Sequence, residues 1–286
     1  MSSSAQKVPS YAVATPGRSA TQAPRTLATA TRPGFFRTVV LPFTGIAAGL
    51  LAWQIAVWLN PTSLIPGPIT VARGIGELAV RGLLVKYVVA SLFRVSWGYS
   101  LALVFSLMLG LFLGVSRRAE LTVNPFLQLL RPISPLAWIP IAILWFGVGD
   151  ISAIFLIFLA SLLPLTVATM NAVRNIDPVH LSAARNFDLP VRQRVMKVLL
   201  PAILTQLIVA MRITLGVAWL VVVAAEMIAV NSGLGFLIVD ARNAGNRYDL
   251  VVAGMALIGI IGLGLDLLMR RLERLRSVRW GYAANT

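Results

Sequence analysis

"SAARNFDLPVRQRVMKVLLPA" occupies residues 182–202, between two of the most apolar runs in the chain. Four basic residues precede Pro201 in this stretch. Basic residues beside apolar runs mark the segments of a membrane protein that stay on the cytoplasmic side. The stretch is therefore predicted to be a structured loop below the membrane, and its residue pattern carries most of the functional information in the sequence.

The composition is that of a polytopic membrane protein. Of the 286 residues, 58% are hydrophobic and 12% are charged, and the mean hydropathy is +0.83. Soluble domains carry about 25% charged residues. The formal charge is +15, but the basic residues flank apolar runs, which indicates topology and contact with membrane lipid rather than nucleic acid. The absence of cysteine excludes disulfides and thiolate metal sites.

The sequence contains six apolar segments of the length that crosses a bilayer, which takes about 20 residues. They lie at residues 39–59, 96–115, 126–147, 151–173, 203–229 and 250–269. Basic residues cluster before the first segment and after the second, fourth and sixth. With six spans, these clusters share one side, so both termini are predicted to be cytoplasmic.

The remaining segments are predicted from composition. Residues 1–38 and 273–286 are basic cytoplasmic tails, and the first, rich in Ser, Thr, Ala and Pro, is predicted to be disordered. Residues 39–63 form the first transmembrane helix and an outer loop. Residues 64–94 carry a basic residue every several positions and form an amphipathic outer segment leading to span two. Residues 95–272 form the transmembrane core, whose third span is interrupted by prolines.

The cytoplasmic loop at residues 174–200 is predicted to contain two short helices joined at a corner. Asp177 can cap the first helix, and Pro190 disfavours helical geometry in the residue before it. Small residues and one aromatic share a side of the first helix, which suits insertion into a groove on a soluble partner. These residues are Ala183, Ala184 and Phe187.

This loop resembles the "EAA" loop of ABC importer permeases, which reads Glu-Ala-Ala, then Gly four positions after the second Ala, and Leu-Pro at its end. Ala183, Ala184, Leu200 and Pro201 match at the same spacing, while Ser182 replaces the acid and Asp188 replaces the glycine. Three further stretches resemble permeases of the nitrate, sulfonate, taurine and bicarbonate branch. They read "LLRPISPLAWIPIAILWFGVGD", "MRITLGVAWLVVVAAEMIAVNSGLGFLIVDARNA" and "GLGLDLLMRRLERL".

The resemblance spans roughly residues 64–280 and implies an all-α type I importer fold in the bacterial inner membrane. It implies two permease copies, expected to be a homodimer, with two ATPase subunits beneath them and a solute-binding protein outside. It also implies that the chain binds no cofactor and that the ATPase subunits hydrolyse ATP; the sequence has no Gly-rich phosphate loop of its own. Sulfonate or taurine and nitrate or bicarbonate all remain possible substrates.

Ionisable residues in or near membrane spans are functional candidates because burying their charge is costly. Arg212 either faces the pore and attracts an anion or packs between helices. Glu226, near the outer end of span five, either forms a structural pair or shapes an outer gate. Arg131 is expected to snorkel to the inner surface. Trp138 and Trp219 line the pathway or serve as aromatic packing.

Two other classes of function compete with the permease. A secondary transporter or channel for a small anion usually needs intramembrane carboxylates for ion coupling, and only Glu226 and Asp266 lie near spans. A membrane enzyme would need a nucleophile with its base or a metal cluster, and the single histidine, His180, has no such partners.

Overall fold

The structure is a computed structural model that describes residues 41–60, 65–177, 179, 182, 186–188, 190–243 and 245–273. All regular elements within these ranges are helical, which confirms the predicted all-α class. The chain comprises two units, Met1–Gly49 and Leu50–Thr286. The first is described only over the apolar beginning of helix α1 (Leu41–Leu59). The predicted tail at residues 1–38, and the predicted tail at residues 273–286 apart from its first residue, lie outside the described residues.

Further helices follow α1 along the chain. They are α2 (Pro68–Val80), α3 (Leu83–Val115), α4 (Arg117–Leu130), a 3-10 turn (Pro135–Trp138), α5 (Ile139–Phe146), α6 (Asp150–Arg174), α7 (Leu200–Ile228), α8 (Leu234–Asn243) and α9 (Tyr248–Glu273). A short helix, Val191–Arg194, and a π-helical turn, Val195–Leu199, lead directly into α7.

Among the described residues, four helical segments are long and apolar enough to cross a membrane. They are α3, α6, the continuous stretch Arg192–Ile228 and α9. A fifth crossing results if α4 and the segment Pro135–Phe146 together form one span. Helix α1 contributes a shorter apolar stretch, Phe43–Leu59. The apolar segments found in the sequence therefore all recur as helices.

The third predicted span, residues 126–147, is not one continuous helix. Helix α4 ends at Leu130, and the following helical segment is bent by 85° relative to it. Pro132 and Pro135 have no amide hydrogen to continue the helical ladder. The Ser134 hydroxyl instead accepts a hydrogen bond from the Leu136 amide at 3.3 Å and starts the 3-10 turn. The interruption that the prolines predicted is therefore a sharp bend in the structure.

The second span begins earlier than predicted, since helix α3 starts at Leu83 instead of residue 96. Arg94 lowers the hydropathy of this region but is only 2% exposed, because its charge is paired inside the protein. The second helix predicted in the loop at residues 174–200 begins at Val191 and runs directly into the fifth span, as expected. At 1.5 Å per residue, the stretch Arg192–Ile228 is about 55 Å long, which exceeds the roughly 30 Å hydrocarbon core.

Helices α3 and α6 pack closely through glycines. A Cβ at Gly98 would lie 2.8 Å from Ile157 Cβ, and one at Gly110 would lie 2.5 Å from Thr169 Cβ. Because these contacts advance in the same direction along both helices, α3 and α6 are parallel. Small residues permit this close approach, which supplies the packing energy between helices in lipid.

Helix α7 runs antiparallel to α3 and α9. Trp219 Nε1 donates a hydrogen bond to the Ile258 carbonyl at 3.1 Å. Arg212 precedes Trp219 on α7 but contacts Asp266, which follows Ile258 on α9, so the two helices run in opposite directions. We call the end of the second unit that holds the C-termini of α3, α6 and α9 and the N-terminus of α7 the basic end. The other end is the opposite end.

Helix α2 is tied to the start of α9 at the opposite end. Arg247 Nη2 lies 2.7 Å from Glu77 Oε2 and 2.8 Å from Asp249 Oδ2. The hydrogen bond from Arg247 holds the pKa of the Glu77 carboxyl below its ordinary value. The amphipathic segment predicted at residues 64–94 is therefore divided: its first part forms α2, which is tied to the start of α9 by ion pairs, and its last part is the beginning of α3.

Substituting Gly110 with alanine tests the α3–α6 contact. The added methyl group would collide with Thr169, and overpacking of this kind costs about 1–3 kcal/mol. We expect a lower midpoint of thermal unfolding for the purified protein. Gly259→Ala on α9 is the control, because no atom lies within 4 Å of its added Cβ. Equal loss in both variants, or in neither, would contradict the close contact.

Candidate functional site: a buried ion-pair network and a broken helix

A buried ion pair joins α3 and α7 near the opposite end. Arg94 Nη1 lies 2.7 Å from Glu226 Oε1, and the two side chains are 2% and 0% exposed. A buried charge of either sign is tolerated only when it is paired and hydrogen-bonded. The surroundings of both groups therefore have to supply further hydrogen bonds.

Glu226 receives these hydrogen bonds from serine and glycine residues. Its Oε2 atom accepts from Ser91 Oγ and from the Gly235 amide, each at 2.9 Å. Ser91 Oγ in turn accepts from the Leu234 amide at 2.9 Å. A Cβ at Gly233, where φ is +103°, would lie 2.3 Å from the Glu226 carboxyl carbon. The sequence "NSGLGF" thus provides the only kind of backbone that can enclose this carboxylate.

Arg94 also contacts two other elements. Its Nε atom donates to Asp150 Oδ1 at 2.8 Å, at the first residue of α6. Its Nη1 atom donates to the Ser232 carbonyl at 2.8 Å, and Nη2 contacts the Ser232 hydroxyl. One guanidinium therefore joins α3, the start of α6, the end of α7 and the turn before α8. We call Ser91, Arg94, Asp150, Glu226 and Ser232 the Arg94 network.

The sequence indicated a structural pair for Glu226 but did not identify the partner. Arg94 was missed because it stood in a segment with other basic residues and was assigned to an outer amphipathic region. A signal was present: Ser91, Arg94 and Gly98 repeat at the spacing of one helix face, within an otherwise apolar run. Any role of Glu226 in a gate stays a prediction.

Arg212 is paired with carboxylates on α9. Its Nε atom lies 2.6 Å from Asp266 Oδ1, and Nη1 lies 3.4 Å from Glu273 Oε2. Arg270 also contacts Asp266, at 2.8 Å. Two carboxylates compensate the Arg212 charge, which disfavours the idea that it attracts a transported anion. The contacts agree with its alternative role in helix packing, with carboxylates as the partners in place of backbone or lipid.

The bend between α4 and α5 borders a cavity of about 320 Å³. Its walls come from the bend itself and from the middle of α6 and α7. The lining residues are Leu130, Arg131, Ile133, Pro135, Trp138, Leu159, Ala160, Leu163, Pro164 and Val217. Arg131 lines this cavity, whose α6 wall lies roughly 14 Å or more from either end of α6. Its side chain is exposed, so snorkelling to the inner surface stays a prediction.

The two tryptophans proposed for the pathway have different positions. Trp138 lines the cavity at the bend. Trp219 is only 5% exposed and donates its indole hydrogen bond to α9. The position of Trp219 therefore indicates helix packing, whereas Trp138 remains a candidate for the pathway.

The basic end holds a second link that the sequence analysis missed. Glu120, in the first turn of α4, is 7% exposed. It accepts from Arg117 Nη1 at 2.7 Å and from Arg174, at the end of α6. The carboxylate joins α4 to the helix that leads into the loop at residues 174–200.

The predicted coupling residues lie in and after this loop. Ala183 and Ala184 are outside the described residues, while Ser182 is helical and exposed. Phe187 is 79% exposed. Asp188 has φ of +43°, a left-handed conformation that glycine adopts freely and that aspartate tolerates better than most residues. Leu200 and Pro201 form the beginning of α7.

Comparisons with known proteins identify what the chain is similar to. Residues 102–278 match the family described as binding-protein-dependent transport system inner membrane component. SsuC of Bacillus subtilis, assigned to aliphatic sulfonates transport, is 35% identical, with 87% of this chain and 89% of that protein covered. The bicarbonate transport permease CmpB of Synechococcus elongatus is 35% identical, with 82% and 88% covered.

A solved structure shares the fold. A chain of the inward-facing MetNI methionine ABC transporter superposes with a TM-score of 0.60 at 24% sequence identity, covering 68% of this chain and 97% of that chain. At this level of identity, the similarity shows the common helical architecture.

Removing the Arg94 charge alone should be more harmful than removing both charges of the Arg94–Glu226 pair. Arg94→Gln leaves the buried Glu226 carboxylate uncompensated, which costs about 3–5 kcal/mol, whereas Glu226→Gln leaves Arg94 paired with Asp150 and should cost less. The double variant should lose less than the sum of the two single losses, as measured by thermal unfolding and membrane yield. Arg81→Gln is the control: its 2.7 Å pair with Glu77 is 64% exposed on the arginine side, so we expect a change within about 0.5 kcal/mol. Additive losses would contradict the pairing.

Proposed function

Because the chain belongs to the family of binding-protein-dependent transport system inner membrane components, we propose that it is the permease of an ATP-driven importer for a small oxyanion. The family match carries the proposal, since residues 102–278 include the bend, the loop at 174–200 and most of the Arg94 network. The oxyanion class is supported by relatives named for sulfonate and bicarbonate transport.

ATP is hydrolysed by separate ATPase subunits in this proposal. These subunits bind the loop at residues 174–200, where Phe187 offers an exposed aromatic side chain, and aromatic anchors carry much of the energy at protein interfaces. A solute-binding protein delivers the anion at the opposite end. A second copy of this chain completes the pathway, and lipid contacts the remaining apolar surface.

The helix from Val191 to Ile228 can transmit movement from this loop. It is continuous from the basic end to Glu226. A displacement of the loop by the ATPase therefore reaches the Arg94 network through one rigid element. The π-helical turn Val195–Leu199 is the place where this element can adjust, because such turns interrupt the regular α-helical hydrogen bonding and are frequent at functional sites.

Orientation is tested with two single cysteines in this chain, which has no cysteine of its own. Phe187 and Val80 are 79% and 91% exposed, respectively. If the loop is cytoplasmic, Phe187→Cys should resist a membrane-impermeant maleimide in intact cells, and Val80→Cys should react. Inverted membrane vesicles should give the reverse pattern. Reaction of Phe187→Cys in intact cells would overturn the proposed orientation.

Coupling to the ATPase is tested at the same two positions. Phe187→Asp places a charge in the proposed contact, and loss of an aromatic anchor of about 2 kcal/mol weakens binding more than tenfold. We expect less ATPase to co-purify with the permease and slower uptake. Val80→Asp, equally exposed but on α2, should retain both. Full ATPase recovery together with normal uptake in Phe187→Asp would mean that this residue does not couple the subunits.

A further inference from the structure

Arg94 and Arg212 lie well inside α3 and α7, and both are neutralised within the chain. Arg94 is paired with Glu226 and Asp150. Arg212 is paired with Asp266 and Glu273. Arg131 lies at the bend after α4; its side chain is exposed and, in the part of the chain that the structure describes, forms no hydrogen bond or ion pair. Of these three arginines, Arg131 is therefore the one whose charge is free to bind an anionic ligand.

Arg131 lies where transporters build binding sites, at a break in a membrane-spanning segment. Discontinuous helices expose backbone groups and give a half-helix N-terminus that favours negative charge. The 3-10 turn begins four residues after Arg131, leads directly into α5, and borders the cavity through Pro135 and Trp138. The guanidinium and the turn that precedes this half-helix therefore border one space.

The size and the walls of the cavity limit what it can hold. A volume of about 320 Å³ is near the lower end of the range for small-molecule sites, roughly 300–1,000 Å³. Apart from Arg131, the lining side chains are aliphatic, proline or tryptophan. These walls offer few hydrogen bonds to replace the water lost by an inorganic anion, but they can contact an apolar group.

A second cavity, of about 420 Å³, lies beside the Arg94 network but is less suited to an anion. It is lined by Lys86 and Arg94, but also by Asp150, whose carboxylate is 57% exposed. The positive charges of Lys86 and Arg94 are balanced by Asp150 and Glu226, so this cavity has no net charge that would attract an anion.

From these observations we infer that the cavity at the α4–α5 bend binds a small organic oxyanion during transport. Arg131 pairs with its anionic group, and the apolar walls contact a short apolar group such as an alkyl chain. This inference rests on the proposed import function. It names the chemical class that the pathway favours over inorganic anions such as nitrate.

The test measures binding to the purified permease–ATPase complex in lipid nanodiscs, without the solute-binding protein. The probe is radiolabelled 1-butanesulfonate, with nitrate and bicarbonate as competitors. Wild type should bind the sulfonate, and neither inorganic ion should displace it at equal concentration. Arg131→Gln should weaken binding by about tenfold to a hundredfold, as expected for loss of a charged hydrogen bond. Arg131→Lys should recover part of this loss because it keeps the charge.

Two further variants separate a local effect from misfolding. Arg118→Gln removes a charge that is likewise unpaired in the described residues but lies at the start of α4, so it should bind as wild type does. Val217→Phe fills the cavity from α7 without a change of charge and should also weaken binding. Each variant is accepted only if the ATPase co-purifies in normal amounts.

Several results would overturn the inference. They are undetectable sulfonate binding in wild type, unchanged affinity in both Arg131→Gln and Val217→Phe, and displacement by nitrate or bicarbonate at equal concentration. The import function would still stand after any of these, because it is measured separately as ATPase co-purification and as uptake dependent on the binding protein. Failure of wild type in those two assays would instead refute the import function.

Discussion

The Arg94–Glu226 ion pair is the constraint on which the opposite end of the second unit depends. Two opposite charges with almost no exposure are stable only if every remaining donor and acceptor is satisfied. That requirement explains the serines at positions 91 and 232 and the absence of a side chain at Gly233 and Gly235. It also fixes the relative position of α3, α6, α7 and α8, because each supplies a group to the same guanidinium or carboxylate. Packing of apolar side chains could not fix these positions as narrowly, since lipid competes equally well for an apolar surface.

The same ion pair allows the continuous helix Arg192–Ile228, which includes α7, to transmit movement along the second unit. Glu226 lies close to its end, and the predicted cytoplasmic loop that precedes Val191 lies at the other end. Within the second unit, Arg212 couples this helix to α9 and Tyr99 couples it to α3, through the Met211 carbonyl at 2.7 Å. Movement at the loop therefore cannot remain local unless these contacts break or the π-helical turn absorbs it. Ion pairs and hydrogen bonds along one helix are the kind of element that has discrete arrangements, which is what transmission between distant sites requires.

The sequence predicts features that depend on local periodicity and misses those that depend on pairing over long separations. Apolar runs identified the helices, and the prolines after Leu130 indicated an interruption, because both signals lie within one segment. The direction and sharpness of the bend depend on α6, which the segment itself does not encode. Arg94 and Glu226 are 132 residues apart, so no window reveals that each neutralises the other, and a basic residue in isolation lowers the apparent membrane character of α3. Asp188 illustrates the opposite case. It stands where the resembled family has glycine, and its φ of +43° is a left-handed conformation that glycine adopts freely.

The contrast between paired and unpaired arginines bears on how an anion can be linked to the conformational cycle. A ligand shifts an equilibrium only by the difference in its affinity for the two states. Arg94 and Arg212 are already paired with carboxylates of the chain, so the free energy of enclosing them is the same with or without substrate. The Arg131 side chain is exposed and has no such partner in the described chain, so a conformation that enclosed it without a ligand would leave its charge without compensation. An anion removes that cost when the cavity closes around it, so closure is favoured more when the site is filled. If the cavity binds the anion as inferred, closure depends on the substrate because Arg131 has no carboxylate partner in the described residues. The helices already described are sufficient for this dependence.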